Sequence, residues 1–348
     1  MPEGFLKHAL RDYTPYVPGE QPPDGEGWVK LNTNESPLPP SPRVIEAIKA
    51  AANETLRLYP SPTAAPAREA IAKHLGLRPK QVTLGNGGDD LIEMCFRAFA
   101  GAGDRVAYVT PTYPLFEPLC RVHEAVPAPF PTGEEWSWSE EFVVDPAPLK
   151  LIVNPNSPTG HWTGPAEVER AVEQSPGMVV IDEAYVDFAQ MNVAGFLPRY
   201  QNMLILRTLS KSYALAGMRI GYAIGNPDAI AALDAVKDSY NLDRLAIAAA
   251  VAAIEDETHH RLIVDEVVRN RSELSKALTG LEFEVVPSAT NFLFVKPPRP
   301  AAEVVSALRE RRILVRHYDR DPIAGWIRIT IGTREQHAQL LAALKEIL

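Results

Sequence analysis

Residues 207–219 read RTLSKSYALAGMR. The four residues ahead of them, Met203, Leu204, Ile205 and Leu206, have the apolar continuity of a buried strand. Ser210 and Lys211 therefore fall at that strand's C-terminal end. Ala214, Leu215, Ala216 and Gly217 follow, small or apolar, and Arg219 closes the stretch. A lysine between a buried strand and an apolar segment loses hydration. Burial favours its neutral amine, the form that attacks a carbonyl to give a Schiff base. Ser210 and Arg219 add a hydroxyl and a fixed cation, a pair suited to one phosphate. Pyridoxal 5'-phosphate (PLP) carries both the aldehyde and the phosphate these groups call for. A surface lysine and arginine on a loop would leave the same local pattern, so a cofactor needs further partners elsewhere in the chain.

Moving outward, residues 178–181 form another Val/Ile-rich strand that ends in Asp182, Glu183, Ala184 and Tyr185. An acid directly behind such a run is costly to bury unpaired. Asp182 thus wants a cation, and a protonated pyridine nitrogen, a salt bridge or a helix cap would each serve. Residues 149–153 make a further buried strand that runs into NPNSPTG (154–160), a turn dense in amides and prolines. Residues 105–109 end in TPTYPLF, which puts Tyr113 where α/β sheets bind ligands. Its ring could stack on a flat heterocycle or simply open a helix. After a short strand at 82–84, GNGG leads into a helix over 89–100 with apolar residues at 91, 92, 95, 96 and 99. A glycine-rich turn entering a helix offers free backbone N–H groups to an anion, and equally suits an ordinary capped helix.

The strand–helix alternation from 82 to 225 predicts an α/β fold, a mostly parallel sheet flanked by helices, in a large domain over 53–258. Helices are expected at 228–238, 245–254 and 259–278. Strands at 283–286, 292–295, 313–316 and 326–330, with helices at 301–311 and 334–348, predict a smaller α+β domain over 259–348. Residues 1–52 are read as an N-terminal arm that joins this smaller domain. The arm contains LNTNESPLPP (31–40), whose Asn34 and Glu35 could face a ligand, and a helix that begins near Pro42. Arg328 alternates with Ile327 and Ile329, so it points to the other face of its strand, toward an anion or toward water. Tyr59, ahead of a proline, reads locally as a packing residue. Residues 131–147, acidic and bearing two tryptophans, have no assigned role.

Bulk properties narrow the function. The formal charge of −9 over 348 residues, with no basic stripe, argues against a nucleic-acid partner. Two cysteines, Cys95 and Cys120, cannot form a disulfide framework, and no Cys/His spacing points to a metal. No secretory h-region and no apolar run of about 18 residues is present, so a cytoplasmic location is expected.

The signals GNGGD, PTYP, NPNSPTG, VVIDEAYVDF, RTLSKSYALAGMRIGY and IRITIGT occur in one order, and together they resemble the fold-type I PLP-dependent aminotransferases. From LNTNESPLPPSP to the C-terminus, and in KDSYNLDRLA (237–246), the chain is most similar to the histidinol-phosphate aminotransferase family. This resemblance implies a fold-type I architecture and a ping-pong exchange of an amino group between L-glutamate and histidinol phosphate or their keto counterparts.

It also implies roles for individual residues. Lys211 is the Schiff-base lysine, Asp182 the carboxylate on the pyridine nitrogen, and Tyr185 the phenol on the cofactor O3′. Tyr113 is the stacked ring. Gly87, Gly88 and Asp89, with Ser210 and Arg219, hold the phosphate, and Tyr59 is donated across a homodimer interface. Arg316 and Arg328 match the arginines for the substrate's anionic groups, with Asn34 nearby. The family usually places Asn just before Pro-Thr-Gly. Here that position is Ser157, so either Asn156, one residue earlier, reaches the cofactor O3′ or Ser157 bonds it more weakly. Aromatic amino acid transamination and threonine-phosphate decarboxylation are alternatives within the fold. A non-catalytic PLP-binding regulator is disfavoured, since the short proline-rich start leaves no room for a helix-turn-helix module.

Overall fold

The computed structural model describes residues 27–348 and, ahead of them, 5, 8–11, 15 and 17–23. The remaining positions of the expected arm lie outside the described residues. The strands, in chain order, are β1 (Val29–Leu31), β2 (Val82–Gly85), β3 (Arg105–Thr110), β4 (Val126–Pro131), β5 (Leu149–Val153), β6 (Met178–Asp182), β7 (Met203–Thr208), β8 (Gly221–Gly225), β9 (Glu284–Val285), β10 (Phe292–Lys296), β11 (Ile313–His317) and β12 (Ile327–Thr330). The helices are α1 (Pro42–Ala51), α2 (Ala65–Leu75), α3 (Gly88–Phe99), α4 (Phe116–Val122), α5 (Glu140–Val143), α6 (Pro165–Glu173), α7 (Pro227–Val236), α8 (Arg244–Glu255), α9 (Glu257–Thr279), α10 (Ala301–Glu310) and α11 (Arg334–Ile347).

The larger sheet has the order β2-β8-β7-β6-β5-β3-β4. Only β8 is reversed, so β2 points the same way as the parallel strands β3 to β7. The C-terminal ends of β2, β3, β5, β6 and β7 therefore gather on one edge. The central strands are mostly apolar because each face meets a core. Met203 and Ile205 of β7 join one apolar cluster, while Leu204 and Leu206 join the other. Periodicity missed β4, whose sequence VPAPFP carries three prolines. It lies at the sheet's edge, where Val126 donates to Asp104 O, and prolines at alternate positions place their missing N–H groups away from the ladder.

The smaller sheet has the order β1-β11-β12-β10-β9, with β1 parallel to β11 and the rest antiparallel. Phe292, Leu293, Val295, Ile327 and Ile329 pack against Ile263, Val267, Leu274 and Leu278 of the long helix α9. The first 52 residues do not travel together. β1 extends the smaller sheet, but Val44 of α1 is buried in the larger core beside Ala246, Ala250 and Ile254 of α8. β1 was not expected, since three residues are too short for a recognisable alternation. No helix among the described residues is long and apolar enough to cross a membrane.

His337, buried on α11, accepts a hydrogen bond at Nε2 from the N–H of Gly332 at 2.9 Å. That bond requires the neutral ring, and burial lowers its pKa to about 4. The unfolded chain takes up a proton near pH 6.5 and the folded one does not, so stability falls as the pH drops from 6.5 toward 4. The loss is on the order of 3 kcal/mol. Denaturant titrations over that range are expected to show this slope, and His337→Gln to flatten it.

Candidate active site

Chain direction assembles the site. A cavity of about 260 Å³ opens at the shared C-terminal edge of the larger sheet and is closed on one side by β1, β11 and β12. That is near the lower end of small-molecule sites. Lys211, Asp182, Tyr185, Tyr113, Gly88, Asp89, Ser210, Arg219, Asn34, Arg316 and Arg328 all line it.

Lys211 and Asp182 are both held away from their ordinary ionisation. Lys211 is half-buried by surface and enclosed by protein, and its Nζ lies 3.4 Å from Thr33 O and 5.9 Å from the Tyr185 ring centre. Burial first, and then the nearby Arg328 charge, lower its pKa to about 8. Asp182 is raised to about 7, chiefly by burial, although the N–H of Ala184 donates to its Oδ1 at 2.9 Å. Asp182 makes no ion pair among the described residues. The next residue contrasts with it. Glu183 is buried as well, but both Nε and Nη2 of Arg207 reach its Oε2, at 2.9 and 2.7 Å. Arg207 was not expected at the site; its signal is a lone arginine inside a buried strand, opposite an acid that needs a cation.

The opposite end of the cavity is built for an anion. Gly87 precedes α3 with φ +89°, a region that disfavours any residue with a Cβ. No side chain caps the helix, so its first amides stay open. A Cβ at Gly87 would sit 2.5 Å from Arg219 Nη2, so the bare backbone lets the guanidinium close in. Gly221 of β8 lies flush against the same turn, where a Cβ would meet Gly87 C and O at 2.8 Å. Ser210 Oγ accepts from Thr208 Oγ1 at 2.9 Å. Asp89 accepts from Tyr113 Oη at 2.9 Å and stands 3.5 Å from Arg219.

The remaining candidates sort differently. Asn156 does not line the cavity. Its Nδ2 donates to Pro111 O and Thr159 Oγ1, and its Oδ1 accepts from Thr112 Oγ1, so the amide is spent on the turn itself. Ser157 faces the cavity and accepts from Arg328 Nη1 at 3.2 Å. Asn34 is a strut: Nδ2 donates to Tyr185 Oη at 2.9 Å, its N–H to Thr330 Oγ1 at 3.0 Å, and its carbonyl accepts from Asn291. Tyr59 is outside the cavity, 77% exposed and stacked on Tyr240 at 4.5 Å. Arg316 and Arg328 are direct register partners across β11 and β12, and both guanidinium groups lie over Tyr318, at 5.2 and 5.8 Å.

These residues fit PLP. Asp182 is a half-buried acid, enclosed by protein and without a cation among the described residues, and a protonated ring nitrogen would supply one. Lys211 is a depressed amine beside it, and the open start of α3 with Ser210 and Arg219 suits a phosphate dianion. The sequence profile of the family described as "Aminotransferase class I and II" matches residues 26–344. Histidinol-phosphate aminotransferase of Acetobacter pasteurianus is 43% identical over 99% of this chain and 98% of its own length. That of Geotalea uraniireducens is 41% identical over 98% and 99%. The crystal structure of histidinol-phosphate aminotransferase from Sinorhizobium meliloti, in complex with pyridoxal-5'-phosphate, superposes with a TM-score of 0.86 at 29% identity, covering 91% of this chain and 90% of that one. With its sequence matched end to end and its fold superposed, the chain belongs to the class I and II aminotransferases, in the histidinol-phosphate aminotransferase family.

Proposed function

We propose that the protein moves an amino group between L-glutamate and 2-oxoglutarate on one side, and histidinol phosphate and imidazole-acetol phosphate on the other, in two half-reactions at one PLP site. The carrying observation is the pairing of Arg316 with Arg328 on one wall of the cavity that holds Lys211. Like charges directly opposite on a sheet repel. An anion between them relieves this, and both the glutamate carboxylate and the substrate phosphate are anions. Arg328 Nη2 and Nη1 are used by Asn32 O and Ser157, while its buried Nε has no partner. An open buried donor is costly and marks a place for an oxygen.

When bound, PLP supplies a carbonyl that condenses with an amine and a protonated ring that draws electrons from the substrate Cα. Lys211 Nζ, neutral from about pH 8 upward, is the base that holds and moves the Cα proton. Asp182 would keep the ring nitrogen protonated. Tyr185, its hydroxyl fixed by Asn34 and Ser157, would bond O3′. Gly87, Gly88, Ser210 and Arg219 would hold the phosphate, and Tyr113 would lie on the ring. Of the two candidates for O3′, Ser157, which faces the cavity, would serve rather than Asn156.

We further propose a homodimer in which Tyr59 serves the neighbour's phosphate. Tyr59 projects away from its own cavity, and Leu56, Leu58 and Tyr240 lie exposed around it. A cytoplasmic location is supported by two buried, unpaired cysteines, Cys95 and Cys120.

Covalent capture of PLP by the apoprotein, read by mass after borohydride reduction, should rise with pH about a midpoint near 8. Arg328→Met removes a cation that lowers the lysine pKa, so the midpoint should move up. Lys211→Ala is expected to cost at least about 10³-fold in kcat. In the unaltered enzyme, kcat/KM should be far higher for histidinol phosphate than for phenylalanine. Carbon dioxide release from threonine phosphate would instead mark a decarboxylase. A hybrid dimer of Tyr59→Phe and Lys211→Ala subunits should retain one site with unaltered PLP affinity, because both lesions then fall in the other site. If Tyr59 serves its own subunit, neither site is spared.

A further inference from the structure

A second cavity, about 810 Å³, lies apart from Lys211 and takes its walls from both sheets' surroundings. His161 and Trp162 follow the turn after β5, Arg271 belongs to α9, and Trp326 precedes β12. Trp136 comes from the acidic excursion over 131–147, for which no role is read from sequence. It meets Phe294 and Trp326 edge-on at 5.9 and 5.7 Å, and Trp326 stacks on Phe294 at 5.0 Å. Glu135 and Trp136 reach this position with φ of 54° and 64°, two consecutive left-handed residues that each carry a Cβ. Such a conformation persists only where the surroundings enforce it. Here it turns an indole into the cavity wall.

Among the described residues, Arg271 is the one arginine or lysine that lines this cavity. Its Nη1 donates to Phe188 O at 3.2 Å and to Thr290 O at 2.6 Å, which fixes the guanidinium plane. No carboxylate pairs with it among the described residues, and neither Nε nor Nη2 has a hydrogen-bond partner there. Burial alone lowers its pKa to about 10, so the charge is retained at neutral pH without a counter-ion. A fixed, uncompensated cation facing a wall of indoles is complementary to an anion attached to a flat ring. Glu135 and Glu284, exposed at the rim, would repel a second negative charge.

We propose that this cavity is a second ligand site, for a small aromatic monocarboxylate whose carboxylate meets Arg271 and whose ring lies among Trp136, Trp162 and Trp326. Neither the amino-group transfer nor the PLP site requires it.

The test is isothermal titration calorimetry of indole-3-acetate into the PLP-loaded enzyme. Saturable binding at one site per chain is expected. Arg271→Met should raise Kd at least about tenfold, the scale of one charge-assisted hydrogen bond. Arg271→Lys should recover part of that loss, and Arg328→Met should change nothing. Absence of saturable binding, or an unchanged Kd in Arg271→Met, overturns the proposal. Loss of binding in Arg328→Met also overturns it, because the ligand then sits in the substrate cavity. If Arg271→Met does not fold, Trp162→Ala carries the same comparison, since the bonds from Arg271 to Phe188 and Thr290 stay in place. A several-fold weaker Kd supports the site, and an unchanged one rejects it.

Discussion

Two consecutive acids at the end of a buried strand set the terms for everything around them. Burying either carboxylate unpaired is costly, and the fold treats the two differently. Glu183 receives a two-pronged bond from Arg207 and a backbone N–H from Val193 at 2.9 Å, so it is fully satisfied from within. Asp182 receives only the N–H of Ala184, and its pKa rises to about 7. Arg207 comes from the next strand and belongs to the same run that delivers Lys211. Strand order β5-β6-β7 therefore does two things at once: it neutralises one acid and sets an amine beside the other. The site's chemistry follows from an imbalance that only a cationic guest would remove.

Much of this was legible in the sequence, where strands end in polar residues that have no structural reason to be there. The buried strands 149–153, 178–182 and 203–208 are largely apolar, and Asp182 at the end of one and Lys211 just beyond another stand out against that background. Ordered motifs then pointed to Tyr113, Arg219 and Arg328, all of which line the same cavity. Sequence could not decide between Asn156 and Ser157. Adjacent residues in a turn point in unrelated directions, and only the turn's own hydrogen bonds show which amide is consumed. β1 and β4 escaped for opposite reasons, one being too short and the other too rich in proline. The helix at 42–51 was read with the arm because it follows it in sequence, yet α8, some two hundred positions later, supplies its contact.

The second body of the molecule contributes charge rather than reactivity. Asp182 ends a strand of the larger sheet and Tyr185 and Lys211 follow such strands, whereas Arg316 and Arg328 sit on the smaller one. Asn34 ties the two, donating to Tyr185 with its side chain and to Thr330 with its backbone. Tyr318 supports both arginines from beneath and packs with Trp326, Phe294 and Trp136. Backbone geometry, aromatic packing and electrostatics thus converge on one wall of the cavity. The wall is held rigid although its two cations repel each other.

That division of labour has an evolutionary reading. The amine and acid, Lys211 and Asp182, and the two arginines, Arg316 and Arg328, come with separate sheets, each with its own apolar interior. Substitutions on β11, β12 or the rings beneath them could redirect the enzyme toward a differently charged guest while the proton chemistry stays intact. A single pair of cross-strand positions, 316 and 328, would then be a place where new specificities arise within one scaffold.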